Sequence, residues 1–130
     1  MQEGTMGEQI LHDRRILIVE DEYLLASHLR SELEDAGAVV IGLAGNVRDA
    51  LAMVESARSP HCAVLDINLG GESVLPVADA LLARGVPFVF ATGYDESAIP
   101  PRYRSAPRCG KPIDMRQLLH AIHGVAPMPA

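Results

Sequence analysis

A short apolar run followed by a stretch of helical period recurs along this chain, and that alternation constrains the fold more than any other feature. Ile16-Leu17-Ile18-Val19 is continuous, as in a strand covered on both faces. Residues 22–36 then put Leu25, Leu29, Leu33 and Ala36 on one stripe, and Gly37 suits the left-handed turn that stops a helix. Val39 to Leu43 reads as a second strand. Asn46 suits the cap of a second helix, whose Val47, Ala50, Leu51 and Val54 share a face. Cys62 to Ile67 is a third strand, and Val74, Val77, Ala78, Leu81 and Leu82 stripe a third helix ending at Gly85. Val86 to Ala91 is a fourth strand, and a short fifth is expected near Arg108-Cys109. Asp114 and Gln117 have capping-box spacing before a last stripe of Met115, Leu118, Leu119 and Ile122, which Gly124 is expected to end.

Strand–helix repeats of this kind require parallel strands joined by right-handed crossovers. A single open, doubly wound α/β sheet is the natural closure for 130 residues. In such sheets ligands bind beyond the carboxyl ends of the strands. Residues 1–13 read as a flexible arm in which Ile10 and Leu11 are able to dock, 14–124 as the folded domain, and 125–130 as a loose C-terminal tail.

Several function classes are disfavoured at this level. A net charge of −6 argues against direct nucleic-acid binding, which rewards a basic surface. There is no apolar run of about 18 residues that would insert into a membrane, and the first 13 residues lack the pattern of a signal peptide. Cys62 and Cys109 have no metal-ligand spacing and read as free thiols, which fits a cytoplasmic location. Basic residues are unevenly spread: Arg102, Arg104, Arg108, Lys111 and Arg116 crowd into one short segment.

The chemistry gathers at the strand ends. Strand one ends in Glu20-Asp21-Glu22, strand three in Asp66, strand four in Thr92, and the loop after strand five carries Lys111-Pro112. Clustered carboxylates at an open, wet edge suit Mg²⁺. An ammonium and a small hydroxyl opposite such a metal make a cradle for a phosphoryl group, and a carboxylate can then act as nucleophile and form an acyl phosphate. Asp66, alone between the acidic cluster and Thr92, is best placed for that role, and Gly93 leaves the approach open. Taken singly, each piece has an ordinary explanation: a helix N-terminal turn favoured by the dipole, a turn-initiating Asp, a strand exit, a surface lysine. Their joint order at successive strand ends is the signal.

The segments "ILIVEDE", "VLDINLGGE", "FATGY" and "KP" together resemble the receiver domain of bacterial two-component response regulators over roughly residues 14–124. The resemblance implies a flavodoxin-like five-stranded sheet of order 2-1-3-4-5. It implies Asp66 as phospho-acceptor, charged by a histidine kinase or a histidine phosphotransfer protein. It also implies a Mg²⁺ site of Glu20, Asp21, Asp66 and the backbone carbonyl of Asn68, with Thr92 as switch hydroxyl and Lys111 as phosphate-pairing lysine. A cis Lys111–Pro112 bond is expected on the same ground. "PFVFATGY" further resembles a stand-alone, mainly alphaproteobacterial subgroup nicknamed for its FATGY motif, some members of which act in stress signalling. One departure stands out: many receivers carry an aromatic three positions before the lysine, and here that position is Arg108.

The leading expectation is a single-domain response regulator, not an enzyme beyond its own phosphorylation and dephosphorylation. Its output would come from protein contact through residues 95–116 or from phosphate shuttling in a phosphorelay. The alternatives are a Mg²⁺-dependent aspartyl-phosphate phosphohydrolase, whose usual Asp-x-Asp-x-Thr is missing from "EDEYL", and a degenerate receiver that only binds partners. Pro100-Pro101 deny the fourth helix regularity, so it is expected to be short or irregular. Residues 95–106, with Ala98, Ile99 and Tyr103 as their few apolar side chains, are expected to be weakly held and to form the switch.

Overall fold

A computed structural model describes residues 10–56, 58–93 and 99–127. Five parallel strands form the sheet: β1 (Arg15–Val19), β2 (Val39–Ala44), β3 (Cys62–Asp66), β4 (Phe88–Thr92) and β5 (Arg108–Gly110). Their spatial order is β2-β1-β3-β4-β5, the flavodoxin-like arrangement expected. Four helices connect and cover them: α1 (Tyr23–Asp35), α2 (Val47–Val54), α3 (Leu75–Ala83) and α4 (Met115–Val125).

The alternation of side chains along each strand divides the core between the two faces. On one face Leu17, Val19, Leu65, Phe88 and Phe90 pack with Ala50 and Val54 of α2 and Val77, Ala78 and Leu81 of α3. On the other, Ile16, Ile18, Val64, Val89 and Cys109 pack with Leu29 and Leu33 of α1 and Leu118 and Ile122 of α4. β1, β3 and β4 are covered on both sides, which is why they read as unbroken apolar runs. Asn46 caps α2 by accepting from the Asp49 N–H at 2.8 Å, and Asp114 caps α4 by accepting from the Gln117 N–H at 3.3 Å. Gly37 and Gly85, at φ 97° and 70°, end α1 and α3 in the left-handed region.

Several expectations need correction. Leu82 is turned outward and is 49% exposed, while Val77, Ala78 and Leu81 fill the buried face of α3. Gly124 lies inside α4, which runs to Val125 with Ala126 tucked against the core. Of the expected arm, residues 1–9 lie outside the described residues, and 10–13 form a turn in which Leu11 is fully buried, the docking expected of it. Of the expected tail, residues 128–130 lie outside them.

The connection from β4 to β5 is short and irregular, as expected. Among the described residues its helical content is one 3₁₀ turn, Pro101–Tyr103, which begins at the prolines as their geometry requires. Residues 95–98 of the expected switch segment lie outside the described residues. The expectation that its apolar side chains offer little burial needs correction: Ile99 and Tyr103 are buried and join the same core cluster as Phe88 and Phe90. Tyr103, counted among the segment's few apolar side chains, is buried because the fold sets its ring against Phe88 and Phe90, a contact that no periodic signal in a proline-flanked polar segment could show. Arg102, in the basic segment singled out from sequence, pairs with Asp79 at 3.4 Å and remains exposed.

Candidate functional site

The site lies where β1, β3 and β4 end at the same edge of the sheet. Parallel register sets this directly: Val19 of β1 pairs with Leu65 of β3, and Asp66 pairs with Ala91 of β4. The residues just beyond these pairs are Glu20 and Asp21, Asp66 itself, and Thr92. All three carboxylates of Glu20, Asp21 and Asp66 offer an oxygen within 4.8 Å of one another.

Glu20 is buried, and its carboxylate accepts from the Glu22 backbone N–H at 3.1 Å and from Lys111 Nζ at 3.2 Å. Asp66 is buried too. Its Oδ1 accepts from the Asn68 N–H at 3.3 Å, and its Oδ2 lies 3.3 Å from Lys111 Nζ. The ammonium therefore bridges the ends of β1 and β3, with Glu22 Oε1 a further 3.9 Å contact. The Lys111 N–H donates to the Thr92 carbonyl at 2.8 Å, which ties the lysine's backbone to the end of β4. The Lys111–Pro112 bond is cis. Thr92 is buried at the last position of β4. Among the described residues, a β-carbon at Gly93 would meet no other atom within 4 Å.

The loop after Asp66 forms a short hairpin. Asn68–Leu69 pair antiparallel with Glu72–Ser73, turning through Gly70 and Gly71 at φ 56° and 95°. Asn68 Oδ1 accepts from the Gly71 N–H at 2.9 Å. Glu72 Oε1 accepts from the Val47 N–H at 3.4 Å, anchoring the hairpin to the first turn of α2. The Gly-Gly pair was the available signal for this hairpin, and Glu72 had none.

One ammonium faces an excess of buried carboxylates. Burial above all, then the charge of Asp66, pushes the Glu20 carboxyl up to about 7 from 4.5. Burial likewise raises Asp66, against the pull of Lys111. For Lys111, burial opposes the charge, yet Asp66 and Glu20 hold the ammonium above its ordinary value. An oxygen-rich pocket short of positive charge is suited to a hard cation and an anionic group arriving together. Of the residues singled out from sequence, Glu20, Asp21, Asp66, Thr92 and Lys111 converge here. Asn68 joins them through its backbone, as a donor to Asp66.

Comparison with known proteins agrees with this architecture. The family model for the response regulator receiver domain matches residues 16–123. The phyllosphere-induced regulator PhyR of Methylorubrum extorquens is 36% identical over 83 residues, covering 62% of this chain and 31% of its own. A crystal structure of the response regulator PhyR from Brucella abortus superposes with a TM-score of 0.77 at 26% identity, over 95% of this chain and 53% of that one. The chain thus spans about a third to a half of these relatives' length. The solution structure of SdrG from Sphingomonas melonis Fr1 gives a TM-score of 0.75 at 42% identity, over 87% of this chain and 96% of SdrG.

Proposed function

The chain belongs to the response regulator receiver domain family, and from that premise we propose that residues 14–124 act as a receiver whose Asp66 accepts a phosphoryl group. The observation that carries this reading is the Lys111 ammonium held 3.2 Å from Glu20 and 3.3 Å from Asp66 at the edge where three strands end. Asp66 is the nucleophile: one carboxylate oxygen forms a bond to phosphorus as the donor's bond to phosphorus breaks, leaving an acyl phosphate. Lys111, already between the two buried carboxylates, pairs with the transferred oxygens. The Thr92 hydroxyl, one position beyond the strand partner of Asp66, donates to another.

Mg²⁺ fits the donor set, because Glu20, Asp21 and Asp66 supply hard oxygen ligands and a negative charge that one lysine does not neutralise. The backbone carbonyl of Asn68 is the proposed fourth protein ligand. When bound, the cation offsets the charge that gathers on the phosphoryl group during transfer.

The donor is a histidine kinase or a histidine phosphotransfer protein. Output runs through a downstream protein contact or through onward transfer, in the cytoplasm and without direct nucleic-acid binding. Among the described residues no helix is long and apolar enough to cross a membrane. Beyond forming and losing its own acyl phosphate, the chain is not assigned an enzymatic reaction. Likeness to SdrG extends over almost all of that chain.

The deciding experiment is intact-mass analysis after incubation with Mg²⁺ and acetyl phosphate. One acid-labile phosphoryl group is expected on the native chain and none on Asp66→Asn. Equal uptake by Asp66→Asn would refute the assignment.

A further inference from the structure

The short strand β5 sets a charged residue on a covered face of the sheet. Alternate residues of a strand share a face, and paired residues of parallel neighbours point to the same side. Arg108 pairs with Phe90 and Gly110 with Thr92, while Cys109 between them packs with Val89 on the other side. The Arg108 side chain therefore leaves the sheet on the face of Phe90 and Thr92. It is half-buried, and its Nε is buried without a hydrogen-bond partner. Among the described residues it makes no ion pair either: Asp79 is taken by Arg102, and Glu20 and Asp66 are held by Lys111.

A guanidinium keeps its charge in any protein setting, so Arg108 cannot shed the cost of burial by losing a proton. Burying a donor of a charged group with nothing to accept from it is unfavourable. Departures of this kind from a consistent fold concentrate where a site awaits a partner.

The anion within reach is the phosphoryl group of the proposed site. Asp66 pairs with Ala91, and Ala91 with Cys109, so Asp66 and Arg108 stand two strands and one residue apart. Strand geometry makes that about 10 Å between Cα atoms. An aspartyl phosphate and an extended arginine together bridge such a gap. The next residue toward the site on this face is Gly110, which has no side chain, and among the described residues a β-carbon there would meet nothing within 4 Å. A phosphoryl group also brings about two negative charges where the Asp66 carboxylate had one. The planar fork of an arginine suits two phosphoryl oxygens at once, as an ammonium does not.

We propose that Arg108 is a second cation for the phosphoryl group on Asp66, donating to its oxygens from the β5 side while Lys111 pairs with them from the loop beyond. This rests on the receiver reading and adds a binding residue to it. The test uses the full chain with Mg²⁺ and beryllofluoride, a phosphoryl mimic whose binding is read by fluorine NMR. Arg108→Met keeps the length of the side chain and removes its charge. Affinity for beryllofluoride should fall about tenfold or more in Arg108→Met. Arg104→Met, at an exposed arginine of the same segment, should leave it unchanged. In the native chain, nitrogen NMR should show the Arg108 Nε–H signal shifted by beryllofluoride. Without ligand, Arg108→Met should melt no lower than the native chain, because it removes a buried charge that has no partner at rest.

Equal affinity of the native chain and Arg108→Met would overturn the inference, as would an Nε–H signal that bound beryllofluoride leaves in place. An equal fall in Arg104→Met would do the same, since it would show a general effect of charge. A clearly lower melting temperature of unliganded Arg108→Met would also overturn it, by revealing a partner at rest. A native chain that binds no beryllofluoride would instead sink the receiver reading, and this inference with it.

Discussion

Lys111 Nζ lies 3.3 Å from Asp66 Oδ2, so the ammonium occupies the ground between β3 and the loop that follows β5 before any phosphoryl group arrives. Replacing Lys111 by Met should cut phosphoryl uptake from acetyl phosphate by an order of magnitude or more, because the charge that pairs with the incoming oxygens is gone. Mg²⁺ affinity should hold or rise in the same variant, since the ammonium and the metal compete for the same carboxylates. Intact mass and calorimetric titration read the two effects separately. Parallel losses of both would instead indicate a collapsed site.

Mg²⁺ binding should depend on pH through Glu20. In the metal-free protein its carboxyl is raised to about 7 from 4.5 by burial and by Asp66. The folded chain then holds a proton that the unfolded chain lacks between those values. The metal-free fold therefore gains stability as pH falls through that window, and the cost of the buried anion is fully present above about 7. Mg²⁺ needs the anion and must expel the proton. Affinity should rise with pH up to about 7 and then level off, with proton release visible in buffers of different ionisation enthalpy. Glu20→Gln should flatten the dependence, and a flat profile for the native chain would contradict this account.

His61 gives a second pH dependence of opposite sense. Its Nδ1 accepts from the Arg15 N–H at 2.8 Å while its own backbone N–H donates to the Arg15 carbonyl at 2.7 Å. Burial first, then Arg15 and Arg14, lowers its pKa below 6.5. The neutral ring's contribution is fully present above 6.5 and is lost as pH falls through the lowered folded value. Melting temperatures of the native chain and His61→Ala should therefore converge on acidification. A gap that stays constant with pH would sink the idea.

Neither cysteine should react in the native state. Both thiols are fully buried, and burial pushes Cys62 up to about 12 and raises Cys109 as well. A thiol reagent should label no site in the folded protein and both sites after unfolding, as counted by mass. Rapid labelling of either in the folded chain would show that its strand opens.

Hydrophobic periodicity determined the first four strands, most of the helices and the α/β class, because buried strands and half-buried helices each demand their own spacing of apolar residues, while the strand order and the short fifth strand rested on the resemblance. It likewise placed Glu20, Asp21, Asp66, Thr92 and Lys111 at one edge, since parallel strands in one sheet end on the same side. Tertiary structure alone decided the rest. Leu82 turned outward because Val77, Ala78 and Leu81 already fill the buried face of α3, a matter of volume that periodicity does not measure. Glu72 reached the α2 N-terminus, and Tyr103 reached Phe88, Phe90 and Asp79, across separations at which sequence spacing carries no distance. Residues 99–106 look weakly held when their apolar side chains are counted along the chain. They are packed in the fold because one aromatic ring and one carboxylate, brought together only by the crossover, supply the burial and the polar partner that the segment lacks by itself.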